Sequence, residues 1–149
     1  MDFIEETRGR HYTGSCHCGA VKIAMVGPLR PFVVCHCTDC LRTAGYTWAA
    51  AQLPHEQLEI TQGNENVDWY ASSNFAKRGF CKTCHAQMFF KDNDSDFASV
   101  SVGMFDNFEG MKTAGHIFRN SMPDCCHKID DLSDMDVEFY ATSDGGAQT

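Results

Sequence analysis

Nine cysteines set this 149-residue chain apart, and seven of them fall into three short knuckles. These are Cys16-His17-Cys18, Cys35-His36-Cys37-Thr38-Asp39-Cys40 and Cys81-Lys82-Thr83-Cys84, carrying two, three and two sulfurs. C-x-C and C-x-x-C spacings aim neighbouring thiols at one point, which suits a metal ion better than separate disulfides. An odd cysteine count argues the same way. The N-terminus has no basic stretch leading into an apolar block, so no secretory signal is expected and the expected location is cytoplasmic.

Ligand counting divides the seven sulfurs. A structural zinc takes four protein ligands in a closed tetrahedron, whereas a catalytic zinc commonly keeps three and leaves one position open. Cys16, Cys18, Cys81 and Cys84 are therefore assigned to a closed site, and Cys35, Cys37 and Cys40 to an open one. Soft thiolates favour zinc over magnesium, calcium or manganese. An iron–sulfur cluster is the competing reading, because four cysteines serve both. The open site carries one formal negative charge fewer than the closed one, so it accepts a further anionic ligand more readily. A thiol bound there would be held as thiolate at neutral pH.

The remaining polar residues are more ambiguous. Cys81 to His85 also fits the C-x-x-C-H haem attachment pattern, which would leave the other clustered cysteines unexplained. His17 and His36 sit between sulfur ligands and are expected to point away from the metal. Asp39 and His36 are candidates for orienting a ligand or substrate, with a turn role for Asp39 equally open. Cys125-Cys126 are read first as buried thiols, with a fourth ligand to the open zinc or a redox pair as alternatives. The acidic residues Asp130, Asp131, Asp134, Asp136 and Glu138 read as a solvated face, since no glycine supplies the turn of a calcium loop.

Short elements must position these knuckles. Strands are expected over 20–26, 32–34, 47–53, 58–61, 67–70, 77–80, 87–91 and 97–102, separated by Gly, Pro and Asn/Asp turns. Helical turns are expected after Asp39 and over 124–132. Hydrophobic residues make up 43% and charged residues 21%, a globular composition that excludes disorder for the bulk. A net charge of −8 and the absence of a Lys/Arg-rich run argue against nucleic acid or an anionic membrane as partner. The expected organisation is a lead-in over 1–12, one zinc-binding domain over 13–140 and a flexible tail over 141–149.

The three knuckles, taken with Gly14-Ser15 and Gly19-Ala20-Val21 around the first, Arg42 and Gly45 after the second, and Arg78-Gly79-Phe80 before the third, resemble the glutathione-dependent formaldehyde-activating enzyme (GFA) family, which also includes centromere protein V. His116-Ile117-Phe118 and Ser121-Met122-Pro123 resemble the segment after the last knuckle in that family. The resemblance covers residues 13–125. It implies a mainly β fold of small antiparallel sheets around cysteine-bound zinc, the Mss-type fold of Rab accessory factors, with few short helices. It implies two zinc ions per chain, structural at Cys16, Cys18, Cys81 and Cys84 and catalytic at Cys35, Cys37 and Cys40. The implied activity is that of a carbon–sulfur lyase joining formaldehyde or a related small aldehyde to a thiol such as glutathione, giving S-(hydroxymethyl)glutathione.

The sequence departs from the family at His85, where glycine is common, and at Met122 and Cys125, where Lys and Trp are common. Arg42, Lys77, Arg78 and Arg119 are the cations available for glutathione carboxylates. The alternative to an enzyme is a non-catalytic zinc module that mediates protein interaction, its second zinc closed by Cys125 or His127.

Overall fold

A computed structural model describes residues 4–126. His127, the acidic residues 130–138, the tail 141–149 and most of the helical turn expected over 124–132 lie outside the described residues; within that turn a single 3-10 turn, Asp124–Cys126, is seen.

Ten strands form two sheets. The smaller sheet has the order β1-β2-β5, from His11–Ser15, Lys22–Val26 and Leu58–Gln62. The larger has the order β10-β3-β4-β9-β8-β7-β6. Its members are β3 (Arg30–Cys35), β4 (Trp48–Pro54), β6 (Val67–Ala71), β7 (Ala76–Cys81), β8 (Gln87–Asp92), β9 (Phe97–Ser101) and β10 (Thr113–Ile117). All pairings are antiparallel except β10 with β3. The mainly β expectation holds. Two strands escaped the sequence reading: β1 carries two glycine-adjacent polar residues, and β10 is weakly apolar and lies on a sheet edge beside β3.

The larger sheet has two differently used faces. Ala51, Leu53, Phe89 and Val100 point into the core, where they meet Tyr12, Ile23 and Met25 of the smaller sheet. Trp48, Ala50 and Gln52 alternate with Ala51 and Leu53 along β4 and so face the other way. That second face lines a cavity.

The one α-helix among the described residues, α1, spans Thr38–Ala44 directly after the second knuckle. The Cys37 sulfur accepts from the backbone N–H of Cys40 and caps it, and Gly45 ends it in the left-handed region at φ 83°. A Cβ there would be strained, so glycine is the natural stop. The helical turn expected after Asp39 is this element.

Candidate metal centres and cavity

Each knuckle sits where a strand ends. Cys16 and Cys18 follow β1, Cys81 closes β7, and Cys84 lies in the turn that leads to β8. Strand pairing brings these ends together although they are distant in sequence. The four sulfurs lie within 4.8 Å of one another. Cys16 Sγ is 3.6 Å from Cys18 Sγ, and Cys18 Sγ is 3.8 Å from Cys81 Sγ. A tetrahedron with Zn–S bonds of about 2.3 Å has S···S edges of about 3.8 Å, so the four sulfurs fit a zinc-sized ion.

Backbone and side-chain donors already point at these sulfurs. The N–H of Val21 donates to Cys16 Sγ at 3.4 Å, and Asn66 Nδ2 donates to Cys81 Sγ at 3.3 Å. Burial pushes the Cys84 thiol up, but hydrogen bonding by backbone and neighbouring thiols outweighs it and leaves the group at about 6. A thiol that ionises that readily is prepared to act as a ligand.

His85, just beyond this cluster, adopts φ 63°. This is the position where the resembled family commonly has glycine, and the reason is now visible: the turn needs the left-handed region. Side chains there cost about 1–2 kcal/mol, partly offset by the entropy that glycine loses on folding. His85→Gly is expected to stabilise the fold by roughly 0.5–1 kcal/mol, read as a higher denaturation midpoint in urea.

The second cluster gathers Cys35 at the end of β3 with Cys37 and Cys40 around the start of α1. Its three sulfurs also lie within 4.8 Å of one another, and no fourth His, Cys, Asp or Glu among the described residues joins them. Arg78 reaches over from β7, buried at 3% exposure, and donates from Nη1 to Cys40 Sγ at 3.5 Å. The Cys40 thiol is pulled down to about 6, first by its hydrogen bond with Cys35 and then, against burial, by the Arg78 guanidinium. The same coupling, with burial, pushes Cys35 up. Of these coupled thiols, Cys40 is therefore the one that holds negative charge most easily.

These three cysteines form one end of a cavity of about 520 Å³. Its walls include Trp48, Phe75, Phe90 and Phe118, and its floor is the second face of the larger sheet. Arg78 Cζ lies 5.1 Å from the Phe90 ring and 6.0 Å from the Trp48 ring. Arg78 Nε and Trp48 Nε1 are buried without a hydrogen-bond partner. A buried donor left unmet costs about 1–3 kcal/mol.

The other sequence candidates fall elsewhere. His17 is exposed. His36 is 2% exposed and turns to His116, with Nε2 to Nδ1 at 2.8 Å. Asp39 is exposed on the first turn of α1 and lines the cavity. Among the proposed cations, Arg78 lines the cavity, whereas Arg42 and Arg119 are exposed outside it and Lys77 stacks on Trp69 at 4.7 Å. The expectation that Cys125-Cys126 are buried is corrected for Cys125, which is exposed; Cys126 is half-buried. The pair sits on a short 3-10 turn after Pro123, at the surface rather than under a sheet, with its sulfurs 3.5 Å apart. Cys125 does not join the three-sulfur cluster. The cation that sequence reading missed is Arg30, which lines the same cavity.

Fold and sulfur geometry together define a mainly β protein built around cysteine clusters able to hold metal. The chain belongs to the glutathione-dependent formaldehyde-activating enzyme family, whose model matches residues 11–121. An uncharacterized lyase of Schizosaccharomyces pombe is 29% identical over 120 residues, spanning 76% of this chain and 82% of that protein. A Halomonas elongata protein, named by inference as a glutathione-dependent formaldehyde-activating enzyme, is 33% identical over 86 residues, 53% of this chain and 55% of its own length. A crystal structure of a Rhodobacter sphaeroides protein superposes with a TM-score of 0.56 at 25% identity, covering 70% of this chain and 99% of that one.

Proposed function

We propose that the protein is a lyase-type enzyme that forms or cleaves the carbon–sulfur bond between a thiol, glutathione or a similar one, and formaldehyde or a related small aldehyde. Family membership and the lyase among the relatives support the class. The observation that carries the reading is the three-sulfur cluster lining a cavity open to solvent, where a ligand can reach it.

Cys16, Cys18, Cys81 and Cys84 would hold a structural zinc, and Cys35, Cys37 and Cys40 a catalytic one, two per chain. Bound at the three-sulfur cluster, zinc supplies a Lewis-acid position at which a thiol is held as thiolate. The chain's own residues do the rest. The apolar walls at Trp48 and Phe90 lower the local dielectric, which strengthens polar contacts beside them. The Arg78 guanidinium, which lines the cavity beside Cys40, is suited to meet the aldehyde oxygen as it gains charge. Sulfur then bonds to the carbonyl carbon, the C=O π pair moves to oxygen, and oxygen takes up a proton. The reactants combine without loss of any atom, and the thiol proton balances the new hydroxyl.

The test joins metal analysis with an adduct assay. Zinc-loaded protein is expected to contain about two zinc ions per chain and to accelerate formation of the thiol–formaldehyde adduct. In cobalt-substituted protein, added thiol is expected to change the visible spectrum. A closed, non-catalytic module would show neither acceleration nor spectral change.

Arg78 also bears on the cluster itself. Partners that orient and charge-balance ligands typically contribute about 10- to 100-fold in metal affinity. Arg78→Met is expected to weaken metal retention at the three-sulfur cluster about tenfold while leaving the four-sulfur cluster intact. Competition with a chelator, followed as two separable release phases, measures this.

A further inference from the structure

A β-bulge redirects one cation into the cavity. Along β3, Cys35 pairs with Trp48 and Val33 with Ala50, in step with the alternation of side chains. Arg30 then pairs with Gln52, so Pro31 and Phe32 of β3 stand opposite the single residue Ala51 of β4. An extra residue flips the alternation, and Arg30 joins Val33 and Cys35 on the cavity face. Without the bulge Pro31 would hold that place and Arg30 would point to the opposite face.

Arg30 completes a row across the sheet. Cross-strand partners run Arg78, Phe90, Ser99, Gln52 and Arg30, all lining the cavity. The Arg78 end faces the Cys40 sulfur. At the other end, Arg30 is half-buried, and its guanidinium donates from Nη2 to the Ala50 carbonyl at 3.4 Å. No acidic residue among the described ones forms an ion pair with it. Burial lowers its pKa, the sign of a charge taken from water without an anion in return. A guanidinium in that state favours a carboxylate, with which it makes paired charge-assisted hydrogen bonds.

We propose that Arg30 is the carboxylate anchor of the thiol substrate, an assignment that rests on the thiol-binding reading above. Its guanidinium lies beside Ala50, two residues or about 7 Å along β4 from Trp48, the partner of Cys35. The substrate class is thus a thiol acid whose carboxylate lies about 7–10 Å from its sulfur, along the stretch of cavity lined by Val33, Ala50 and Gln52.

The experiment titrates zinc-loaded protein calorimetrically with glutathione and with its dimethyl ester, in which both carboxylates are neutral and the thiol is kept. Wild type is expected to bind the acid at least about tenfold more tightly than the ester. Arg30→Gln is expected to lose that preference, with ester affinity and zinc content unchanged, and Arg30→Lys to keep part of it. Equal binding of acid and ester by wild type overturns the anchor, as does a preference that survives in Arg30→Gln; both leave thiol binding intact. If neither thiol binds wild type, the thiol-enzyme reading falls and the anchor with it.

Discussion

Cys16→Ser is expected to abolish soluble, cooperatively folding protein. Cys16 is buried in the main core, beside Val21 and Cys81, and its sulfur is one corner of the four-sulfur cluster. That cluster joins the loop after β1, in the smaller sheet, to the β7–β8 turn of the larger one. A structural zinc contributes roughly 10–16 kcal/mol in small domains, whereas whole domains have net stabilities of roughly 5–15 kcal/mol. Losing one of four thiolates therefore removes a share comparable to the entire margin. Of the sulfurs left behind, that of the fully buried Cys81 would also stay desolvated without its ion. Soluble yield and a thermal melt followed by circular dichroism, with zinc in the buffer, measure the effect. A melting temperature equal to wild type would mean that these knuckles do not share a folding metal.

Cys40→Ser is expected to do the reverse: large in activity, small in stability. Adduct formation should fall at least about 100-fold, because the ligand that receives Arg78 is gone. Cys40 belongs to a separate small cluster with Trp48 and Ala50, away from the main core. Its loss leaves the two-sheet packing untouched, so the melting temperature is expected to change by only about 2–4 °C, the shift that about 1 kcal/mol causes in a domain of this size. The contrast with Cys16→Ser is the informative result. Comparable activity in Cys40→Ser and wild type would remove the three-sulfur cluster from the chemistry. Collapse of both variants would show that both clusters hold the fold.

Much of the site was legible in the sequence because its parts are local. Two sulfurs separated by one or two residues are held close by chain geometry alone, so the three knuckles announce themselves. Counting two, three and two sulfurs against tetrahedral ligation was enough to propose which knuckles belong together, and the fold brings those groups of sulfurs together. The helical turn after Asp39 was readable because Cys37 caps it and Gly45 ends it within one short stretch. Most strands were readable for the same reason, as short apolar runs between turn residues. The two that were missed, β1 and β10, carry few apolar residues and become strands through their partners.

What the sequence determined by itself is the chemistry available: seven clustered thiols, their division into four and three, and the family to which such knuckles belong. Tertiary structure decided what surrounds them. It buried Arg78 against Cys40, paired His36 with His116, and left Cys125 at the surface. It turned Arg30 into the cavity through a single extra residue in β3. The physical reason is one of range. Ligand spacing is a property of a few consecutive bonds, whereas the face on which a strand residue emerges depends on hydrogen-bond register with a strand some twenty residues away, and one bulge reverses it.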